Sequence, residues 1–228
     1  MLAGGAAQAQ ITLTVDDFGS VGDIVPISDV SQLSGVTPGA AGANVVWNFS
    51  GLTPDTTYND KFILPGDAAG ADKFPAANLA LMQMRTDTSV IFINKKSDGI
   101  WMLGVRAPFG QGVHLTIPFA PAYQLAVFPA TYQTKFNRDF SFNITPSAGE
   151  MGNPGVDSMM IMSKQHHEIV FDGWGTLKLP ENRTVDRLRQ QRVEHRGGVL
   201  EDLRLLVGLD VVGDVVQTGG AGLAAELE

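Results

Sequence analysis

Asp172-Gly-Trp-Gly-Thr-Leu-Lys-Leu-Pro180 is the stretch whose reading decides the fold. Gly173 and Gly175 bracket Trp174, which frees the backbone to take positive φ on either side of one large apolar anchor. Thr176, Leu177, Lys178 and Leu179 then extend the chain, and Pro180 closes it. The spacing predicts a tight turn opening into a sheet strand, in preference to a ligand loop.

Outward from this stretch the same period-two pattern recurs. Asp139-Phe-Ser-Phe-Asn-Ile-Thr145 alternates with Phe140, Phe142 and Ile144 on one face. Asn44-Val-Val-Trp-Asn-Phe-Ser50 puts Trp47 and Phe49 together, opposite Val46 and Asn48. Ile11–Val15 reads as the first strand, and Asp23–Asp29 as an edge strand because Pro26 cannot donate to a ladder. Asn78–Met84 has helical propensity, yet Ser89–Asn94 and Gly99–Val105 beside it form a hairpin pattern around Lys95-Lys-Ser-Asp-Gly99, so all three are read as strands. Gly112–Pro118 and Tyr123–Pro129 are two more, each stopped by proline, and Met159–Ser163 and His167–Phe171 continue the series. Strands at short intervals with turn signals between them predict an all-β, two-sheet antiparallel β-sandwich, jelly-roll-like, with Trp47, Phe49, Phe140, Phe142 and Trp174 in or near the core.

Composition agrees. With 44% hydrophobic and 18% charged residues in 228, the chain buries a core unaided, and 26 glycines and 12 prolines suit many short strands joined by turns. The formal net charge of −8 argues against a nucleic-acid partner, which needs a clustered basic surface. No segment approaches the ~18 consecutive apolar residues of a membrane span. The absence of cysteine excludes disulfides, thiolate metal sites and a cysteine nucleophile.

Residues 1–10 read as the remnant of a signal peptide, with Ala7-Gln8-Ala9 as the small-x-small cleavage site. Residues 11–218 then form a single β-sandwich domain and 219–228 a flexible tail. Beyond Trp174 the composition shifts to arginine, and there are no further aromatics. A hairpin on Gly197-Gly198 and the alternation from Leu203 to Val211 nevertheless predict one or two more strands within 183–215.

Four pieces in order carry a family likeness: Gly42-Ala-Asn-Val-Val-Trp-Asn-Phe-Ser-Gly-Leu52, Pro75-Ala-Ala-Asn-Leu-Ala-Leu81, Phe128-Pro-Ala-Thr-Tyr132 and Asp172–Pro180. Together the chain resembles a group of uncharacterised secreted β-sandwich proteins of the Bacteroidetes that often end in a C-terminal sorting module. The group usually has an aliphatic-Leu-Arg strand after the proline, for which Arg187-Leu-Arg189 is an imperfect counterpart. No match extends beyond residue 196, and no sorting module is recognisable there. The resemblance implies export, to the medium or the cell surface, and a sandwich fold; it transfers no catalytic residue.

Chemistry is sparse. Gly35-Val-Thr-Pro-Gly39 has the glycine spacing of a nucleophile elbow, but it holds no serine, and Pro38 lacks the N–H an oxyanion hole needs. No glycine-rich phosphate loop links a strand to a helix. In Gln165-His-His-Glu168, His166 and Glu168 share a strand face while His167 points away, so adjacent ligation needs a third group from elsewhere. Glu168, His166 and Asp172 are the candidate catalytic residues. Four residues of strand separate Glu168 from Asp172 by ~13 Å, beyond the ~5–9.5 Å of a glycosidase pair, so either would need a partner from another strand. Asp16, Asp17 and Asp23, around Gly19 and Gly22, are candidate calcium ligands without EF-hand spacing; no other cofactor is expected. Two function classes follow. One is a non-catalytic module binding a carbohydrate or cell-surface ligand; the other is an extracellular polysaccharide hydrolase using a carboxylate pair that includes Glu168.

Overall fold

The computed structural model describes residues 10–31, 36–37, 39–85, 87–109, 112–151 and 160–195. The signal-peptide remnant, the Gly197-Gly198 hairpin, the Leu203–Val211 strand and the tail lie outside the described residues.

The described residues form twelve strands: β1 (Thr12–Leu13), β2 (Ile24–Asp29), β3 (Gly42–Asn48), β4 (Thr56–Ile63), β5 (Leu79–Met84), β6 (Thr88–Lys96), β7 (Gly99–Pro108), β8 (His114–Val127), β9 (Ala130–Thr131), β10 (Lys135–Ile144), β11 (Ile161–Lys178) and β12 (Thr184–His195). One four-residue helix, α1 (Ala148–Met151), interrupts them. Six strands form an antiparallel sheet in the order β2-β4-β5-β6-β7-β8. A second sheet is built on β11. Its one edge carries β12, while the other is shared by β10 along Ile161–Val170 and by β3 along Gly173–Lys178. The chain is therefore all-β and arranged as a sandwich of mainly antiparallel sheets, with one departure: β3 pairs parallel to β11. β1 and β9 add a short ribbon.

Apolar alternation explains where the layers meet. Phe62, Leu79, Ile93, Ile100, Met102, Tyr123 and Leu125 of the six-stranded sheet pack with Phe140 of β10. Phe142 lies against the same cluster. On the other face of that sheet Ile63, Ala80, Val90 and Phe92 are covered by Ala68 and Phe74, from the turn-rich segment between β4 and β5. The covering segment sits close. Phe74 stacks on Phe92 with ring centroids 4.2 Å apart, and a Cβ on Gly104 would lie 2.4 Å from Phe74.

β8 and β10 form the seam between the sheets, and side chains replace a backbone ladder there. Arg138, 5% exposed, donates to the carbonyls of Gln124 and Leu125, and Ser141 donates to that of Ala120. The Arg138 guanidinium lies 3.9 Å from the Tyr123 ring centroid, a cation–π contact made in a dry seam. Tyr123 OH in turn meets Nδ1 of His167, 2% exposed, at 3.2 Å. A buried cation, phenol and imidazole thus pin β8, β10 and β11 in one register, because burial away from these partners would leave each polar group unsatisfied.

Several elements differ from expectation. Asp172–Pro180 is no turn into a new strand: β11 runs unbroken from Ile161 through the sequence-predicted His167–Phe171 strand to Lys178. The two glycines serve a bulge, where the register against β12 shifts between Phe171 and Gly173. The shift reverses the parity of the strand, so Phe171 and Trp174 both face the cluster of Leu13, Ala130 and Leu188. Gly175 takes φ +155° because the β3 backbone passes directly beside it; a Cβ there would lie 1.9 Å from the Val45 carbonyl oxygen. Gly112–Pro118 and Tyr123–Pro129 are likewise one strand in large part, β8. Residues 119–122 leave the ladder between the pairs Gly104↔Pro118 and Met102↔Tyr123, so Pro118 and Pro121 border or occupy a stretch that needs no donor. Pro26 does lie on an edge strand, and Asn78–Met84 does contain a strand. Trp47 is a core side chain at 5% exposure, packed with Leu177 and Leu179, while Val46 on the opposite face is 58% exposed.

Candidate functional site

The residues singled out from sequence fall in separate places. On β11, His166 and Glu168 face outward and His167 inward, as the alternation requires. His166 Nδ1 pairs across the strands with Asp139 Oδ1 at 2.8 Å, on a face where the two side chains are 40% and 63% exposed. Glu168 is exposed beside it. Asp172 is buried instead: its side chain is only 12% exposed, and Arg189 Nε approaches Oδ1 at 3.3 Å. Among the described residues no donor from another residue meets either carboxylate oxygen in hydrogen-bond geometry, so the contact with Arg189 is one of charge. Burial pushes the Asp172 carboxyl above its ordinary range, and the Arg189 charge offsets this only in part. Arg189 is itself tied by donation to the Gly39 carbonyl at 2.7 Å, so it clamps the segment just before β3 onto β12. Glu168 and Asp172 therefore share a strand but not an environment, and the two are not assembled into a pair.

Two of the three aspartates near the N-terminus, Asp17 and Asp23, close local turns. Asp17 Oδ2 accepts from the Thr14 amide at 2.7 Å, and Asp23 Oδ2 from the Ser20 amide at 2.7 Å. The carbonyls of Phe18 and Gly19, which a cation would use, accept from the Lys95 ammonium. Among the described residues no group of three or more His, Asp or Glu side chains is placed to hold a metal ion. Among them, too, no helix is long and apolar enough to cross a membrane.

A different group, which the sequence reading passed over, has the chemistry of a binding surface. Asn94 of β6, Trp101 of β7 and Gln124 of β8 are consecutive cross-strand partners. At ~4.8 Å between neighbouring strands, the row spans ~10 Å. All three are partly exposed, on the sheet face that Phe74 and its segment cover farther along. Trp101 lies over Gly99, where an added Cβ would meet the indole Cη2 at 3.0 Å and Gln124 Nε2 at 3.2 Å. Gly99 thus leaves the shallow space in which the ring and the amide come together. Lys96, paired with Gly99 across the turn, holds its ammonium 4.9 Å from the Trp101 ring centroid. Among the described residues neither the Asn94 nor the Gln124 amide has a hydrogen-bond partner, so each keeps donors and an acceptor for a ligand. The available signal was local: Trp101 follows Gly99 by two, on the same strand face, with a lysine opposite that glycine across a tight hairpin.

Comparison of the chain with protein-family models, with curated proteins and with solved structures returned no match.

Proposed function

We propose that the protein is a secreted or cell-surface β-sandwich module that binds a saccharide without cleaving it. The observation that carries this reading is the Asn94–Trp101–Gln124 row: an indole flanked on both sides by amides with unspent hydrogen-bonding groups. The C–H face of a sugar ring stacks on an aromatic surface, and hydroxyls at its rim suit an amide, which both donates and accepts. A row laid across three neighbouring strands meets one face of a sugar ring. Export follows from the family resemblance of the four sequence pieces.

The test is a glycan panel applied to the purified protein, with binding and reducing-end release measured on the same samples. Binding without release, lost in Trp101→Ala but retained in Glu168→Gln, is the expected outcome. Release of reducing ends that Glu168→Gln abolishes would replace the binding module with the hydrolase.

A further inference from the structure

Lys96 gives the row a charge preference. Its ammonium stands 4.9 Å from the Trp101 ring centroid, and among the described residues no carboxylate lies within salt-bridge distance of it. Lysine elsewhere on the chain is used differently. The adjacent Lys95 points its ammonium into the Phe18–Ser20 turn, and Lys73 pairs with Asp72 at 3.5 Å. At Lys96 the cation is held at the platform by the ring's electron-rich face, and its donors remain unspent.

We infer that the Trp101 platform takes an acidic saccharide, with the carboxylate of a uronic acid unit on Lys96, its ring on Trp101 and its hydroxyls on Asn94 and Gln124. The inference rests on the saccharide-binding reading above and adds to it the charge of the ligand. The physical reason is complementarity over a short range. A neutral sugar would have to displace the ammonium from the ring with no ionic contact in return. A uronate instead draws the ammonium aside into a charge-assisted hydrogen bond, which is the stronger kind. Lysine suits this movement because its stem is flexible and its ammonium is a compact point charge. The chain's formal net charge of −8 opposes polyanions at long range, but screening at ~8–10 Å in ordinary salt leaves the local cation to decide at contact.

The experiment uses the full chain and a matched pair of probes, trigalacturonate and its carboxyl-reduced counterpart, in which each carboxylate is replaced by a neutral hydroxymethyl group. Affinities are measured by calorimetry for wild type, Lys96→Gln, Trp101→Phe and Trp101→Ala, with circular dichroism and melting curves to confirm that each variant folds. Trigalacturonate should bind about three- to fivefold more tightly than the reduced probe, the scale of one exposed ion pair. Lys96→Gln should remove that difference, with the reduced probe binding more tightly than to wild type because no ammonium has to leave the ring, 0.5 M salt should also remove the difference, Trp101→Phe should weaken both probes and Trp101→Ala should lose both. Equal affinity for the two probes, with both lost in Trp101→Ala, would overturn the charge preference and leave the saccharide reading standing. Uronate binding that survives Trp101→Ala would overturn the site. Failure of both probes, together with every member of the glycan panel, would overturn the saccharide reading and this inference with it.

Discussion

Replacing Gly175 by alanine should detach β3 from β11. The added Cβ would sit 1.9 Å from the Val45 carbonyl oxygen, 2.5 Å from its amide nitrogen and 2.8 Å from its carbonyl carbon. All three are backbone atoms of a strand that pairs with β11 from Gly42 to Asn48, so no rotamer change relieves the clash. The β3 backbone has to retreat by about 1.1 Å before the nearest contact reaches even 3.0 Å. Alanine at φ +155° adds backbone strain of ~1–3 kcal/mol, and overpacking between strands costs ~1–3 kcal/mol more. Together these give ~2–6 kcal/mol, which lowers the melting temperature by roughly 5–20 °C for a domain of this size. Thermal unfolding followed by circular dichroism measures the total. Tryptophan fluorescence should shift to the red before the global transition, because a retreating β3 brings Trp47, now 5% exposed, toward water. Gly66→Ala is the control: its added Cβ meets nothing within 4 Å, and its melting temperature should stay within about 2 °C of wild type. A Gly175→Ala protein that melts with wild type would refute the close backbone approach and, with it, the parallel pairing.

Three further outcomes test other parts of the structure. Because burial raises the Asp172 carboxyl above its ordinary value of 3.8, the folded chain holds a proton that the unfolded chain releases. Stability from this group is fully present below pH 3.8 and declines as pH rises through the folded-state value. Asp172→Asn should lack that decline, and urea unfolding profiles that run parallel for variant and wild type across this window would count against the buried charge. Asp60 is fully buried and accepts from Arg85 Nη1 at 2.6 Å and from the Met84 amide at 3.2 Å. Asp60→Ala leaves both donors unpaired at the end of β5 and should cost about 3 kcal/mol by chemical denaturation, with a cost under about 1 kcal/mol refuting the buried pair. Leu188→Ala, at a fully buried site, should cost ~2–5 kcal/mol, whereas Val46→Ala, 58% exposed, should stay within ~0.5 kcal/mol. Similar costs for the two would undo the assignment of faces on β3 and β12.

Alternation made the class of fold legible, because period two in Asn44–Ser50 and Asp139–Thr145 has only one structural explanation. It also separated His166 from His167 correctly: one faces solvent beside Asp139, and the other faces inward on Tyr123. Parity is a local property, however, and it fails wherever a strand is interrupted. The bulge between Phe171 and Gly173 brings Trp174 to the face of Phe171, three residues away, which strict alternation forbids. Glycine and proline misled for a related reason. Both signal ends of strands in the sequence, yet Gly173 and Gly175 let β3 approach the C-terminal third of β11, and Pro118 and Pro121 lie at an excursion within β8. A residue that frees or blocks the backbone says that regular geometry stops there, but only the neighbouring strand determines whether the chain turns or continues.

The same limit hid the candidate site. Three tryptophans lie on alternating strands, and alternation alone does not rank them. Trp47 donates its Nε1–H to the Ala40 carbonyl at 3.0 Å and sits against Gly39 and Gly173, the latter contributed by β11 more than a hundred residues away. Trp174 is covered by Leu188, its partner on β12. Trp101 has on either side Asn94 and Gln124, whose amides no other part of the described chain uses. Burial of Trp47, the apolar packing of half-buried Trp174 and the polar neighbours of half-buried Trp101 are set by which strand arrives alongside, and that depends on register across the whole sheet. Groups of polar residues close in sequence, such as the Gln165–Glu168 tetrapeptide, escape this limit. A platform assembled from three strands does not, because its members stand 7 and 23 residues apart and become neighbours only through the β6–β7 and β7–β8 ladders.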